Sequence, residues 1–121
     1  MHRIPRVLIV EDEFLIALEL ESTLRSVGYH VLGPVATVQE ALELLRTESP
    51  DAAVLDVNLA GERVTPIAEL LRAMSVPFVL SSGYDKTDLR DEPMLRDAVN
   101  VGKPARSVLL LKELQEALPD L

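Results

Sequence analysis

The sequence predicts an α/β fold: five parallel strands alternating with helices, doubly wound so that both faces of the sheet are covered. Three observations lead there. Short apolar runs rich in β-branched residues recur along the chain. Segments with helical apolar spacing lie between them. At 121 residues the chain is sized for one domain with a core of its own. Strands alternating with helices imply right-handed crossovers and a parallel sheet.

Each element has its own signature. Runs at Arg6 to Val10, His30 to Val35, Ala52 to Leu55 and Pro77 to Leu80, with a poorer one at Val99 to Gly102, read as strands. The first helix follows from the spacing of Ala17, Leu20, Leu24 and Val27, and Gly28 is placed to take the left-handed position after it. Thr37 with Glu40 forms a capping box that opens the second helix, whose apolar face is Val38, Ala41, Leu42 and Leu45. Val64, Ile67, Ala68 and Leu71 mark the third, and Leu110, Leu114, Ala117 and Leu118 the last. Residues 84–97 carry many charges and Pro93, so a fourth helix there is expected to be short or mobile. No repeat, low-complexity tract or linker interrupts the chain, which reads as one domain over 1–121 without an output domain.

Composition narrows the function. With 48% hydrophobic and 26% charged residues the chain is globular rather than disordered. A net charge of −8 and 3% aromatic residues argue against nucleic acid as a direct partner, because phosphate binding needs a basic face and base stacking needs rings. No apolar run approaches the roughly 20 residues of a membrane span. The N-terminus lacks the long apolar stretch and cleavage site of a signal peptide, so a cytoplasmic location is expected. The absence of cysteine excludes disulfides, thiolate zinc sites and cysteine nucleophiles.

In a doubly wound sheet, ligands lie outside the carboxyl ends of the strands, where strand order reverses. That rule selects Glu11 and Asp12 after the first strand, Asp56 after the third, Ser81, Ser82 and Gly83 after the fourth, and Lys103 and Pro104 after the fifth. The stretch VLIVEDE sets three carboxylates side by side where a buried strand surfaces, and their mutual repulsion is a liability unless a cation sits among them. With the first and third strands as neighbours, Glu11, Asp12 and Asp56 converge into an oxygen site suited to Mg²⁺, an ion that commonly bridges carboxylates to phosphate. Glu13 is assigned instead to the N-terminus of the first helix, where negative charge contributes about 0.3–1 kcal/mol. Lys103 would bring an ammonium to a phosphoryl oxygen, Ser82 a hydroxyl donor, and Gly83 space beside it. The Lys103–Pro104 bond is a candidate cis peptide.

Taken together, Glu11, Asp12, Asp56, Ser82 and Lys103 resemble the signature of the receiver domain of two-component response regulators, in that family's order and spacing from about Arg6 to Leu118. The resemblance implies a flavodoxin-like five-stranded parallel sheet of order 2-1-3-4-5 and transfer of a phosphoryl group from a phosphohistidine to an aspartate. It casts Asp56, in VLDVN, as the phosphoacceptor that attacks phosphorus in line. Asp12 becomes the direct Mg²⁺ ligand, Glu11 acts mainly through a metal-bound water, and Asn58 lends its backbone carbonyl. Lys103, in GKP, offsets charge on the transferring group, and Ser82 swings toward the new phosphate. A sensor histidine kinase or histidine phosphotransferase is the implied donor, with self-catalysed phosphotransfer and dephosphorylation rather than enzymatic turnover. A downstream protein target and a monomer or weak dimer are implied as well.

PFVLSSGYD further resembles a receiver subgroup, often of stand-alone proteins, that carries Pro-Phe-x-Phe-Ala-Thr-Gly-Tyr at the fourth strand's end. Three departures stand out. Ser81 and Ser82 replace Ala-Thr, which keeps a hydroxyl at Ser82. Asn100 occupies the position where most receivers carry a switching aromatic, which leaves Tyr84 as candidate moving group. Ala105 follows Pro104 where an aromatic is common. Two other readings compete: a Mg²⁺-dependent aspartate-based phosphatase, which would show Asp-x-Asp after the first strand and need more chain for a cap, and a phosphorylation-independent binding module, which would not need the full residue set. Whether the output is a phosphorelay shuttle or sink, or contact with a target, is left open by the sequence.

Overall fold

The computed structural model describes residues 3–84 and 87–118. Along the chain the elements run β1 (Arg6–Val10), α1 (Phe14–Ser26), β2 (His30–Val35), α2 (Val38–Leu44), β3 (Ala52–Leu55), β4 (Asn58–Leu59), β5 (Glu62–Arg63), α3 (Thr65–Ala73), β6 (Phe78–Leu80), α4 (Pro93–Arg96) and α5 (Ser107–Ala117). The parallel sheet has the order β2-β1-β3-β6, and β4 with β5 forms a separate two-residue hairpin. This is the doubly wound α/β arrangement that the alternation of strands and helices predicts, with β1 and β3 side by side at its centre.

Alternate residues of β1 enter opposite halves of the core, as the two-residue period of a strand requires. Leu8 and Val10 pack with Val38 and Ala41 of α2 and with Ile67 and Leu71 of α3. Val7 and Ile9 pack with Leu20 and Leu24 of α1 and with Leu110 and Leu114 of α5. Two positions from the expected helix faces fall outside the core. Val27 sits at the C-cap of α1 and is exposed, and Ala117 is exposed at the end of α5. Gly28 does take a left-handed conformation, with φ +91°. The capping box is present with one change of partner: Thr37 Oγ1 accepts from Glu40 N–H (3.0 Å), while Glu40 Oε1 accepts from Ala36 N–H (3.3 Å).

The fifth strand is shorter than expected. Val99 to Gly102 forms a single parallel bridge, Leu80 with Asn100, held by Leu80 N–H to Val99 O and Val101 N–H to Leu80 O, both 2.8 Å. The next ladder bond would run from Ser82 N–H to Val101 O. The Asn100 side chain takes that donor instead, at 3.1 Å, and the ladder ends. Helix α4 is one turn long, and Glu92 just before it accepts from Thr65 Oγ1 (2.9 Å) and pairs with Arg63 (3.3 Å). Asp85 and Lys86, in the same stretch, lie outside the described residues.

Lys103–Pro104 is cis, as is Gly33–Pro34, where the β1–β2 pairing shifts register between Leu8 and Val10. Gly33 has φ +85°, and a Cβ there would lie 2.8 Å from Val35 N and 3.0 Å from Ile9 O. Gly28 combines a similar φ with open space. Gly33→Ala is therefore expected to cost well over the ~1 kcal/mol of a left-handed alanine, and Gly28→Ala about that amount alone. Denaturant titration of the two variants checks the ordering. Among the described residues, no helix is long and apolar enough to cross a membrane.

Candidate functional site

Hydrogen bonds that run one residue past the strands fix their tips. Glu11 N–H donates to Val35 O (2.9 Å), Asp56 N–H to Val10 O (2.9 Å) and Ser81 N–H to Leu55 O (2.8 Å). With Val10 opposite Leu55 and Leu55 opposite Leu80, the residues that follow line up along the carboxyl edge of the sheet. The apolar strands thus deliver Glu11, Asp56 and Ser81 in a row. Asp12 continues from β1 toward the hairpin, where its Oδ2 accepts from Ala60 N–H (3.0 Å).

An open cleft of about 410 Å³ sits over this edge, with Asp12, Asp56, Asn58, Ser82, Tyr84 and Lys103 in its lining. Carboxylate oxygens of Glu11, Asp12 and Asp56 lie within 4.8 Å of one another. Glu11 and Asp56 are 2% and 4% exposed, so two of the three acids are nearly dry. Lys103 reaches over from the last loop, its Nζ 2.8 Å from Glu13, 2.9 Å from Asp56 and 3.4 Å from Glu11. The structure therefore brings Glu11, Asp12, Asp56 and Lys103 together, with Ser82 and Gly83 in the lining of the same cleft, whereas Ser81 turns its hydroxyl to Gly102 O and Pro104 lies outside the lining.

Among the described residues, charge at these strand tips is unbalanced. Among the described residues, Lys103 is the one cation paired with these acids, against the four carboxylates of Glu11, Asp12, Glu13 and Asp56. Burial foremost pushes the Glu11 carboxyl up to about 7; a hydrogen bond from Glu13 N–H (3.0 Å) works against that, and the Asp56 charge adds to it more than Lys103 subtracts. Burial also works against the Lys103 ammonium. Its hydrogen bonds to Glu13 and Asp56 and the charges of Asp56 and Glu11 outweigh this and hold its pKa above the ordinary lysine range.

One atom bears directly on a cation. Glu11 Oε1 is buried and has no hydrogen-bond partner, although buried polar atoms are nearly always partnered. An unsatisfied, buried carboxylate oxygen beside two further carboxylates is a donor set for a hard divalent ion such as Mg²⁺. The residues present fit that ion.

Two residues serve otherwise than the sequence predicts. Glu13, assigned to the helix terminus, is the N-cap of α1 but makes no side-chain capping bond; its carboxylate turns to Lys103 instead. No local pattern signals this pairing, because Glu13 and Lys103 lie on loops far apart in the chain. Asn100, standing where the resemblance expects an aromatic, joins its amide to three backbone groups of the cleft wall. Tyr84 donates its N–H to Ser82 Oγ (2.9 Å), and the Arg63 guanidinium lies 4.8 Å from its ring centre.

Residues 7–115 match the family model of the response regulator receiver domain. The chain belongs to this family. The receiver is 34% identical over 85 residues to the transcriptional regulatory protein PdtaR of Mycobacterium tuberculosis, a match covering 69% of this chain and 42% of PdtaR. It is 29% identical over 118 residues to the phyllosphere-induced regulator PhyR of Methylorubrum extorquens, covering 93% of this chain and 43% of PhyR. The receiver thus spans less than half the length of these relatives. Among solved structures, SdrG from Pseudomonas melonis Fr1 in its BeF3-activated conformation shares 39% identity over 98% of both chains, with a TM-score of 0.77. The fold and the two-component signalling context of the receiver follow from these matches. The flavodoxin-like class holds with a four-stranded ladder plus one bridge.

Proposed function

We propose that this cytoplasmic receiver accepts a phosphoryl group from a histidine kinase or histidine phosphotransferase on Asp56, in a Mg²⁺-dependent reaction, and signals through a phosphorylation-dependent protein contact or passes the group along a relay. The observation that carries this is the setting of Asp56: a buried carboxylate at the floor of an open cleft, 2.9 Å from the Lys103 ammonium and within 4.8 Å of the Glu11 and Asp12 carboxylates.

An Asp56 oxygen attacks phosphorus in line with the donor's imidazole nitrogen. The O–P bond forms as the P–N bond breaks, and the electron pair stays on the imidazole. Lys103, already on Asp56, moves its hydrogen bond to a phosphoryl oxygen and offsets the charge that develops there. Ser82, buried at the cleft wall, supplies an O–H donor to a second phosphoryl oxygen. A Mg²⁺ ion held by Glu11, Asp12, Asp56 and the Asn58 carbonyl would add positive charge against the same oxygens.

Intact mass after incubation with Mg²⁺ and acetyl phosphate tests the proposal: one phosphoryl adduct is expected, and none when Mg²⁺ is chelated. Failure of both acetyl phosphate and a phosphohistidine protein to label the chain would overturn it. Lys103→Ala is expected to leave labelling possible while weakening the conformational response, read from the ring signals of Tyr84 by NMR. A full Tyr84 response in that variant would remove Lys103 as the link between phosphate and the loop.

A further inference from the structure

Two residues by which this receiver departs from the pattern it resembles, Ser81 and Asn100, converge on a single residue, Gly102. Asn100 Oδ1 accepts from Gly102 N–H (3.0 Å) and from Ser82 N–H (3.1 Å), while its Nδ2 donates to Tyr84 O (2.8 Å). The reverse orientation of the amide would set its NH₂ against two N–H donors, so the partners themselves fix which way it faces. From the other side, Ser81 Oγ donates to Gly102 O (2.8 Å). Gly102 is thus gripped at both its N–H and its C=O, and the next residue is Lys103, whose ammonium lies 2.9 Å from Asp56.

We propose that Ser81 and Asn100 are positioning residues that clamp Gly102, the residue before Lys103, to the tip of β6, so that Ser82 and the Lys103 ammonium are held as one unit in the cleft over Asp56. The consequence for transfer rests on the phosphoacceptor role of Asp56. The physical basis is independent of it. Ser82 N–H would continue the strand ladder to Val101 O; its capture by Asn100 ends the ladder and lets the chain turn at 101–103 over the sheet edge toward the carboxylates. Ser81 and Ser82 are both nearly buried, so each of these polar groups would be left unsatisfied without its partner in the clamp. Two separate grips on the residue before it leave the base of the Lys103 side chain little freedom, and small misplacements of a charge-stabilising group are costly to rate.

Asn100→Leu removes all three amide bonds at similar volume, Ser81→Ala removes the grip on the Gly102 carbonyl, and Asn100→Asp keeps both acceptor bonds while losing only the donor to Tyr84. Amide hydrogen exchange at Ser82 and Gly102 is expected to speed up together, at least about tenfold, in Asn100→Leu and to stay near wild type in Asn100→Asp. In Ser81→Ala the Gly102 carbonyl ¹³C shift should move. Transfer from acetyl phosphate should slow by about tenfold in Asn100→Leu and in Ser81→Ala while the Mg²⁺ dissociation constant stays within about twofold, because neither residue belongs to the acidic cluster. Protected Ser82 and Gly102 amides in Asn100→Leu, or an unchanged rate in both variants, would overturn the clamp, as would a loss of Mg²⁺ affinity in step with rate. If Asn100→Leu does not fold, Ser81→Ala carries the test through the carbonyl shift and the rate. No adduct on the wild type would instead overturn the phosphoacceptor role of Asp56, and the exchange data would still decide whether the clamp exists.

Discussion

Raising the pH of the metal-free receiver from 4.5 to about 7 is expected to destabilise it by on the order of 3 kcal/mol, and Mg²⁺ to restore the loss. The Glu11 carboxyl titrates near 4.5 in the unfolded chain and is pushed up to about 7 in the folded one, foremost by burial. Between those values the folded state holds a proton that the unfolded state has released, so stability falls as pH rises. The contribution is fully present below 4.5 and lost above about 7. A cation that binds only the folded site opposes this, adding about 2.7 kcal/mol at a hundredfold excess over its dissociation constant. Glu11→Gln removes the titration. It should lose this part of the slope, exceed the wild type in stability at neutral pH without metal, and respond less to Mg²⁺. Denaturant titrations across the range, with Mg²⁺ and with chelator, check each point; a flat wild-type profile, or an equal slope in Glu11→Gln, would count against the account.

Asp56→Asn is expected to abolish the phosphoryl adduct altogether. Asparagine has nearly the same shape and keeps an oxygen for Lys103, but its amide is not a nucleophile for phosphorus. The same change removes one of the three clustered carboxylates of Glu11, Asp12 and Asp56, so Mg²⁺ should bind more weakly. The pH slope described above should also shrink, because the Asp56 charge is one of the causes that raise Glu11. Stability at neutral pH without metal should not fall, since Lys103 retains Glu13 and Glu11 as partners and the repulsion between Asp56 and Glu11 is relieved. Intact mass, calorimetric Mg²⁺ titration and thermal unfolding of the variant test these outcomes together.

Much of this site was legible because strand tips are set by patterns that sequence displays. An apolar β-branched run ends where its first carboxylate appears, so VLIVEDE and AAVLD located Glu11, Asp12 and Asp56 before any coordinates did, and the parallel register then placed β1 beside β3. Capping chemistry was equally local, as at Thr37 and Gly28. What escaped depends on contacts between residues distant in the chain. The fifth strand stops after one bridge because a side chain at Asn100 competes with the backbone for Ser82 N–H, and no periodicity reveals such a competition. The register shift in β2 arises at Gly33–Pro34, inside a run that looks like regular strand. Glu13 sits where a helix terminus would use its charge, and only the path of the 101–103 segment shows that Lys103 draws it away.

The central claim is that Asp56 is the group that carries the phosphate, and mapping the modified residue tests it most directly. The receiver would be incubated with Mg²⁺ and acetyl phosphate, the acyl phosphate trapped by borohydride reduction, and the modified peptide sequenced by mass spectrometry. The account predicts modification at Asp56 alone, absent when Mg²⁺ is chelated. Modification at Asp12, Glu11 or another carboxylate, or labelling that persists without a divalent ion, would contradict it.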